Sequence, residues 1–351
     1  MVAVDLFCGA GGLSLGLRRS GLTIAAGIDL DPACKFPFEK NVRAPFLPRD
    51  ISTISADEIS IAFGSADVRV LAACAPCQPF SGYTTKRQLV DERWKLLLDV
   101  LRLTIQLRPE VVTVENVARL ARTPLWSDFV KGLCAIGYHV DWKVLDASMY
   151  GVPQRRHRVV LLASLLGELH VPSATARTAI TVASAIQHLP AIGPGEQNEV
   201  DPLHSARALT PTNLKRIRRS TPAGTWRDWP ERMRVECHRR ETGATYPSVY
   251  GRMSWDQPSP TITTQFYGFG NGRFGHPEQD RAITLREGAI LQSFPPSFMF
   301  VGRGERLNFR AIGRLIGNAV PPALAFQIGK QIIAHAAATV GSGSKKPSPS
   351  R

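Results

Sequence analysis

Long apolar runs are missing from this 351-residue chain; no stretch approaches the roughly 20 residues that a membrane-crossing helix needs. Cysteine is scarce as well. Six thiols (Cys8, Cys34, Cys74, Cys77, Cys134 and Cys237) in so long a sequence do not read as the disulfide framework of a small secreted domain. Residues 1–7 have neither the basic flank nor the cleavage site of a secretory leader. There is no internal repeat, and no second Cys or His pair with zinc-ligand spacing. Disorder is also excluded, since 44% hydrophobic and 21% charged residues are globular values. The expectation is a soluble cytoplasmic protein with reduced thiols, no metal, and length enough for two domains.

Acidic residues are the remaining shortage. There are 29 Asp and Glu against 43 Lys and Arg, a net charge of +14. Such an excess either aids solubility or meets a polyanion, and its distribution favours the second. Between Leu203 and Arg240, ten basic residues face three acidic ones, so half the net charge lies in one short window. Nucleic acid is the partner this implies.

Residues 1–164 alternate short apolar runs with helical patterns, as βαβ units do. Strands are expected at Val2–Phe7, Leu22–Ile28, Val68–Ala73, Val111–Val114, His139–Leu145 and Arg158–Ala163. A helix follows the glycine turn and stops at Gly21. Another lies near Arg93–Leu107, and a third opens at Thr123-Pro124 and closes at Gly137. The fold class is α/β with a mostly parallel sheet. From about 165 to 280 the chain is rich in Pro, Gly, Thr and Arg, with weak periodicity. Thr284 to Glu287 forms a capping box. Pro321-Pro322 opens a last helix with Leu324, Ile328 and Ile332 on one face. Gly341–Arg351 reads as a disordered tail.

Four stretches carry chemistry. Asp5-Leu6-Phe7-Cys8-Gly9-Ala10-Gly11-Gly12 ends the first strand, and its glycines let a nucleotide-like ligand approach the backbone. Asp29 ends the second strand, where a carboxylate can accept from both ribose hydroxyls. Ser14 stands where a dinucleotide fingerprint needs glycine, which favours a ligand without a pyrophosphate. Cys77, in Pro76-Cys77-Gln78-Pro79-Phe80-Ser81, follows a buried strand at the sheet edge where such folds bind ligands. The plain alternatives for Cys77 are a half-buried structural thiol or a redox pair with Cys74. If Ala73 and Cys74 continue the strand, Cys74 points into the sheet. Glu115, in Glu115-Asn116-Val117, ends the neighbouring strand; it is either a solvated loop acid or a proton donor beside a nucleophile. In Gln154-Arg155-Arg156-His157-Arg158, strand alternation sends Arg156 and Arg158 to one side and Arg155 and His157 to the other.

Together, in this order, these stretches resemble the DNA (cytosine-5)-methyltransferase family, of the prokaryotic or phage restriction-modification type. Arg252-Met253-Ser254-Trp255-Asp256-Gln257-Pro258-Ser259-Pro260-Thr261-Ile262-Thr263-Thr264 and Gly317-Asn318-Ala319-Val320-Pro321-Pro322 match as well, and the likeness spans residues 3–335. It implies a Rossmann-like, AdoMet-dependent methyltransferase sheet (1–164 plus 318–340) with a smaller target-recognition domain (165–317). S-adenosyl-L-methionine would be the methyl donor, held by Phe7, Gly9, Gly11, Leu13, Asp29, Leu30, Asp50, Ile51, Pro76 and Asn318. The resemblance makes Cys77 the nucleophile at C6 of a swung-out cytosine, with Glu115 at N3 and Arg156 and Arg158 near the base, phosphate and thiolate. Double-stranded DNA would be the partner of a monomer, and a restriction endonuclease its functional counterpart. Within the recognition lobe, Lys215, Arg216, Arg218 and Arg219 suit phosphates, and Arg227, Arg239 and Arg240 could read guanine edges. Trp226 and Trp229 read as core. The rival readings are an RNA cytosine methyltransferase, a catalytically silent nucleic-acid-binding module and a nicotinamide oxidoreductase.

Overall fold

The computed structural model describes residues 1–76, 95–240, 243 and 246–342. The chain divides into two compact units. One comprises Met1–Asp146, His157–Ala174 and the chain from Val320 onward; the other comprises Ala147–Arg156 and Thr175–Ala319.

The first unit is built on a twisted α/β sheet. Its strands are β1 (Val2–Leu6), β2 (Thr23–Asp29), β3 (Phe46–Pro48), β4 (Arg69–Ala73), β5 (Val111–Val117), β6 (His139–Asp146) and β7 (His157–Ser164). They lie in the order β3-β2-β1-β4-β5-β7-β6. The first five run parallel, and β7 is antiparallel to both neighbours. Central strands are covered on both faces, so they read as unbroken apolar runs: Val4, Leu6, Leu71, Ala73, Val112 and Val114 are wholly buried. The covering helices are α1 (Gly12–Ser20), α2 (Lys35–Val42), α3 (Ala56–Phe63), α4 (Lys95–Leu107) and α5 (Pro124–Ala135). Thr123 caps α5 by accepting from the Trp126 amide, with Pro124 in the first turn, as the sequence predicts. β5 runs further than expected, through Val117, because Glu115 and Asn116 stay paired with Val160 and Val159 of β7.

The second unit contains α6 (Val182–Ile186), α7 (Pro211–Arg219), α8 (Glu236–Arg239), α9 (Leu285–Leu291) and α10 (Phe309–Asn318), joined by long irregular segments. One of its apolar clusters gathers Ile217, Trp226, Trp229, Phe269 and Ala282, so both tryptophans are core residues. Polar clamps hold the loops around it. Arg252 is buried and donates to the Ile217 and Ser220 carbonyls at the end of α7 and to the His276 and Gln279 carbonyls. Its guanidinium also pairs with Asp280. Arg281 and Glu287 form a two-pronged ion pair at 2.7 and 2.8 Å, both side chains no more than 1% exposed. Glu287 completes the Thr284 capping box of α9.

The last helix, α11 (Pro322–Ser342), belongs to the first unit and packs on α1. A Cβ on Gly16 would stand 2.3 Å from the Ala325 Cβ, so only glycine permits this approach. Leu324, Ile328 and Ile332 are fully buried along the predicted face. The helix carries Gly341 and Ser342, which the sequence places in a disordered tail.

Candidate active site

The turn between β1 and α1 is shaped by positive φ angles at Phe7 (59°), Gly9 (54°) and Gly11 (90°). The glycines differ in role. A Cβ on Gly11 would lie 2.6 Å from Val42 Cγ2, so Gly11 admits the packing of α2, whereas a Cβ on Gly9 would meet nothing within 4 Å. Open space thus lies directly over the Gly9 backbone. Asp29, at the end of β2, accepts the Gly9 amide on Oδ2 at 3.0 Å and the Asp31 amide on Oδ1 at 2.9 Å. Burial raises its pKa, against the pull of those amides and that of Leu30. Each oxygen keeps a lone pair for an incoming hydroxyl. Next to it, Leu30 is 66% exposed, an apolar surface of the kind a purine ring covers. The turn, the carboxylate and the apolar side chain therefore fit a nucleoside ligand.

The other residues assigned to that ligand are less uniform. Leu13 is buried in α1. Asp50 spends Oδ1 on the Ser52 amide and hydroxyl, while Ile51 is buried in the core with its carbonyl accepting from Arg102. Pro76 is exposed at the end of a described segment, and Asn318 ends α10 in the second unit.

Asp5 is a residue the sequence reading quoted but gave no role. It is fully buried, and the Ser14 hydroxyl donates to its Oδ2 at 2.6 Å. Ser14 thus stands in the glycine position because α1 must satisfy a carboxyl beneath it. Burial, outweighing the Ser14 bond, lifts the Asp5 pKa to about 7. The folded chain therefore holds a proton that the unfolded chain has lost above about pH 4, and stability falls as pH rises from about 4 to 7. Asp5→Asn keeps the acceptor without the charge. It is expected to unfold later than the parent at pH 8, by on the order of 2–4 kcal/mol, with the gain shrinking toward pH 4 in denaturant melts.

Glu115 lies on β5, opposite Val160 of β7, and is only 2% exposed. Arg158, two residues from Val160 on β7, brings its Nε to 3.2 Å from Glu115 Oε1. The pair is not a hydrogen bond, so among the described residues Oε1 has charge compensation but no donor. Cys74 corrects an expectation. The strand ends at Ala73, so the pleat no longer directs the next side chain into the sheet, and the Cys74 thiol donates to Glu115 Oε2 at 3.2 Å. Asn116 reinforces the same junction by donating to the Ala75 carbonyl at 3.0 Å. The segment 74–76 is thereby tied to β5; Cys77 follows it in the chain and lies outside the described residues. Cys8, Cys134 and Cys237 are free thiols.

Arg156 and Arg158 do not share one strand face. β7 begins at His157, so alternation does not reach Arg156, whose chain segment belongs to the second unit. There Arg156 is buried and donates to the Ile262, Gly317 and Ala319 carbonyls. Gln154 likewise receives the Ile262 amide and donates to the Leu291 carbonyl.

The basic window is sorted by its contacts. Arg216 is half-buried between the Trp229 and Tyr250 rings and donates to the Met233 carbonyl. Arg218 pairs with Asp280, Arg240 with Glu236, and Arg239 donates to the Glu231 carbonyl. Arg227 lies over the Trp226 ring. Lys215, Arg219 and Arg232 are exposed and have no hydrogen bond or ion pair among the described residues. These three, with Thr212, Arg216, Arg218 and Met233, line an open cavity of about 520 Å³. Arg232 was missed; only the fold shows that it faces α7.

A positive-φ glycine turn after the first strand and a buried acid on β5 lie on one seven-stranded, mostly parallel sheet, the α/β architecture expected of a methyltransferase. The description of C-5 cytosine-specific DNA methylases matches residues 1–334, and the chain belongs to that family. It is 45% identical over 334 residues to the Type II methylase M.HgiDII of Herpetosiphon aurantiacus, covering 94% of each chain. It is 32% identical to the Type II methyltransferase M1.HphI of Haemophilus parahaemolyticus, covering 94% of this chain and 86% of that one. Among solved structures, a prophage-encoded E. coli chain shares the fold with a TM-score of 0.74 at 21% identity, covering 96% of this chain and 99% of its own. The Dnmt2 methyltransferase of S. pombe gives 0.64 at 17%, covering 95% and 98%. The protein is thus a DNA cytosine-5 methyltransferase.

Proposed function

We propose that the protein methylates C5 of one cytosine within a specific double-stranded DNA sequence, through a transient Cys77–C6 bond on a base turned out of the duplex. The observation that carries this is Glu115: a buried acid with one oxygen lacking a donor among the described residues, held by Arg158 and tied to the segment that leads into Cys77.

Cytosine C5 is a poor nucleophile until C6 carries an added group. The Cys77 thiolate adds to C6 while Glu115 delivers a proton to N3, and the electrons displaced from the ring make C5 enamine-like. S-adenosyl-L-methionine supplies an electrophilic sulfonium methyl; Gly9, Asp29 and Leu30 would hold it, with Phe7, Gly11, Leu13, Asp50, Ile51 and Pro76 completing its surroundings. Loss of the C5 proton to a base then expels Cys77, and Glu115 recovers its proton from N3. Arg158 keeps the Glu115 carboxylate in place, and Arg156 positions the chain that precedes it. Because C5 and C6 are stacked inside a duplex, the base must leave the stack first.

The experiment is a duplex carrying 5-fluorocytosine, incubated with the protein and the methyl donor. Fluorine at C5 cannot leave as a proton does, so a denaturant-resistant conjugate on the Cys77 peptide is expected; its absence with an unfluorinated substrate that is methylated would overturn the covalent step. Bisulfite sequencing of DNA from expressing cells would report the target, and tRNA as an acceptor would separate the RNA alternative.

Lys215, Arg219 and Arg232 are the proposed phosphate contacts, having no competing partner among the described residues. Replacing all three by Ala is expected to lower the slope of log affinity against log salt by about 0.9 per lost contact. Discrimination between target and non-target duplexes should change little, since phosphates carry no base identity. Relatives named Type II methyltransferases support a functional pairing with a restriction endonuclease that the modified site resists. A DNA substrate supports action in a cytoplasm, and each chain's own glycine turn and Glu115 support a monomer.

A further inference from the structure

We infer that Cys74 is a positioning residue for Glu115, selecting which carboxylate oxygen meets the cytosine ring. The inference rests on the role of Glu115 proposed above. A glutamate carboxylate is nearly two-fold symmetric about its last torsion, so without directional contacts either oxygen could face the substrate. Here the two oxygens are distinguished. Oε2 accepts the Cys74 S–H at 3.2 Å, whereas Oε1 has the Arg158 charge nearby but no hydrogen-bond donor among the described residues. The carboxylate is only 2% exposed, so water does not readily take that place. Oε1 is therefore the oxygen available to carry a proton to a ring nitrogen and to take it back.

The anchor comes from the end of β4 and not from β5 itself. Cys74 and Glu115 are 41 residues apart in sequence and are brought together because β4 and β5 are adjacent parallel strands. A second contact between the same elements, Asn116 Nδ2 to the Ala75 carbonyl, sets the height of the segment on β5. Cys74 thus couples the orientation of the acid to the path of the chain just before the nucleophile. A hydroxyl could make the same bond; a methyl group could not.

The test compares Cys74→Ala and Cys74→Ser in the full chain. Single-turnover methyl transfer to a target duplex isolates the chemical step from product release. Cys74→Ala is expected to slow that step about three- to tenfold, the range for one lost hydrogen bond to a charged group, with KM for DNA and for the methyl donor unchanged. Cys74→Ser is expected to restore most of the rate. Circular dichroism melts of both variants establish that they are folded. A parental rate in Cys74→Ala, or an equal loss in the Ala and Ser variants, would overturn the positioning role. If the unaltered chain methylates its target but Glu115→Gln does so at full rate, the underlying reading of Glu115 fails instead, and the two failures are distinguishable.

Discussion

Glu115→Gln is expected to lower the single-turnover rate by about 10²–10⁴-fold, the usual weight of a positioned proton donor, while leaving binding of DNA and methyl donor near parental values. The amide has the size of the acid and can still accept the Cys74 S–H through its oxygen. Its NH₂ can hydrogen-bond to a ring nitrogen but cannot transfer a proton to it. The nitrogen would also face Arg158, so a change in folding has to be checked by melting curves. Substrate binding with lost turnover is the signature of a group used in the transition state. A Gln variant with parental turnover would show that the N3 proton comes from elsewhere.

The largest stability effect is expected in the second unit. Arg281→Met should destabilise it by about 3–5 kcal/mol, because the Glu287 carboxylate would remain buried without its counter-charge. Burial by itself pushes the Glu287 pKa up, and the Arg281 bonds reverse that, so the acid titrates below its ordinary value. His276, 3.7 Å from Glu287, does not replace the arginine, since burial lowers its pKa to about 4 and it is neutral at pH 7. Tryptophan fluorescence in urea would read the loss through buried Trp226 and Trp229. The double variant Arg281→Met with Glu287→Leu should recover much of it, because removing both charges leaves no stranded ion. If the double variant is no better than the single one, packing around Arg281 and not charge is the main contribution.

The residues of the first unit were legible for a physical reason. Parallel strands buried on both faces must be apolar throughout, and their ends must turn, so β1, β4 and β5 and the glycine turn are written in consecutive residues. Thr123, Thr284 and Pro322 were legible because caps are local chemistry. The second unit was not, since its segments are held by buried arginines reaching carbonyls far along the chain. Arg252, which binds the end of α7 more than 30 residues earlier, carries no periodic signal. Nor did the sequence separate Arg216, spent between two rings, from Lys215, its exposed neighbour.

By itself, the sequence determined the α/β class, the family and the order of its chemical blocks, because these depend on short-range periodicity and on residue identities within each block. Tertiary structure alone decided that Cys74 meets Glu115, that Arg156 and Arg158 belong to different units, and that Lys215, Arg219 and Arg232 are left without partners among the described residues. Those outcomes depend on which strands become neighbours and where each one stops, and a contact across 41 residues is set by strand order that no local pattern encodes.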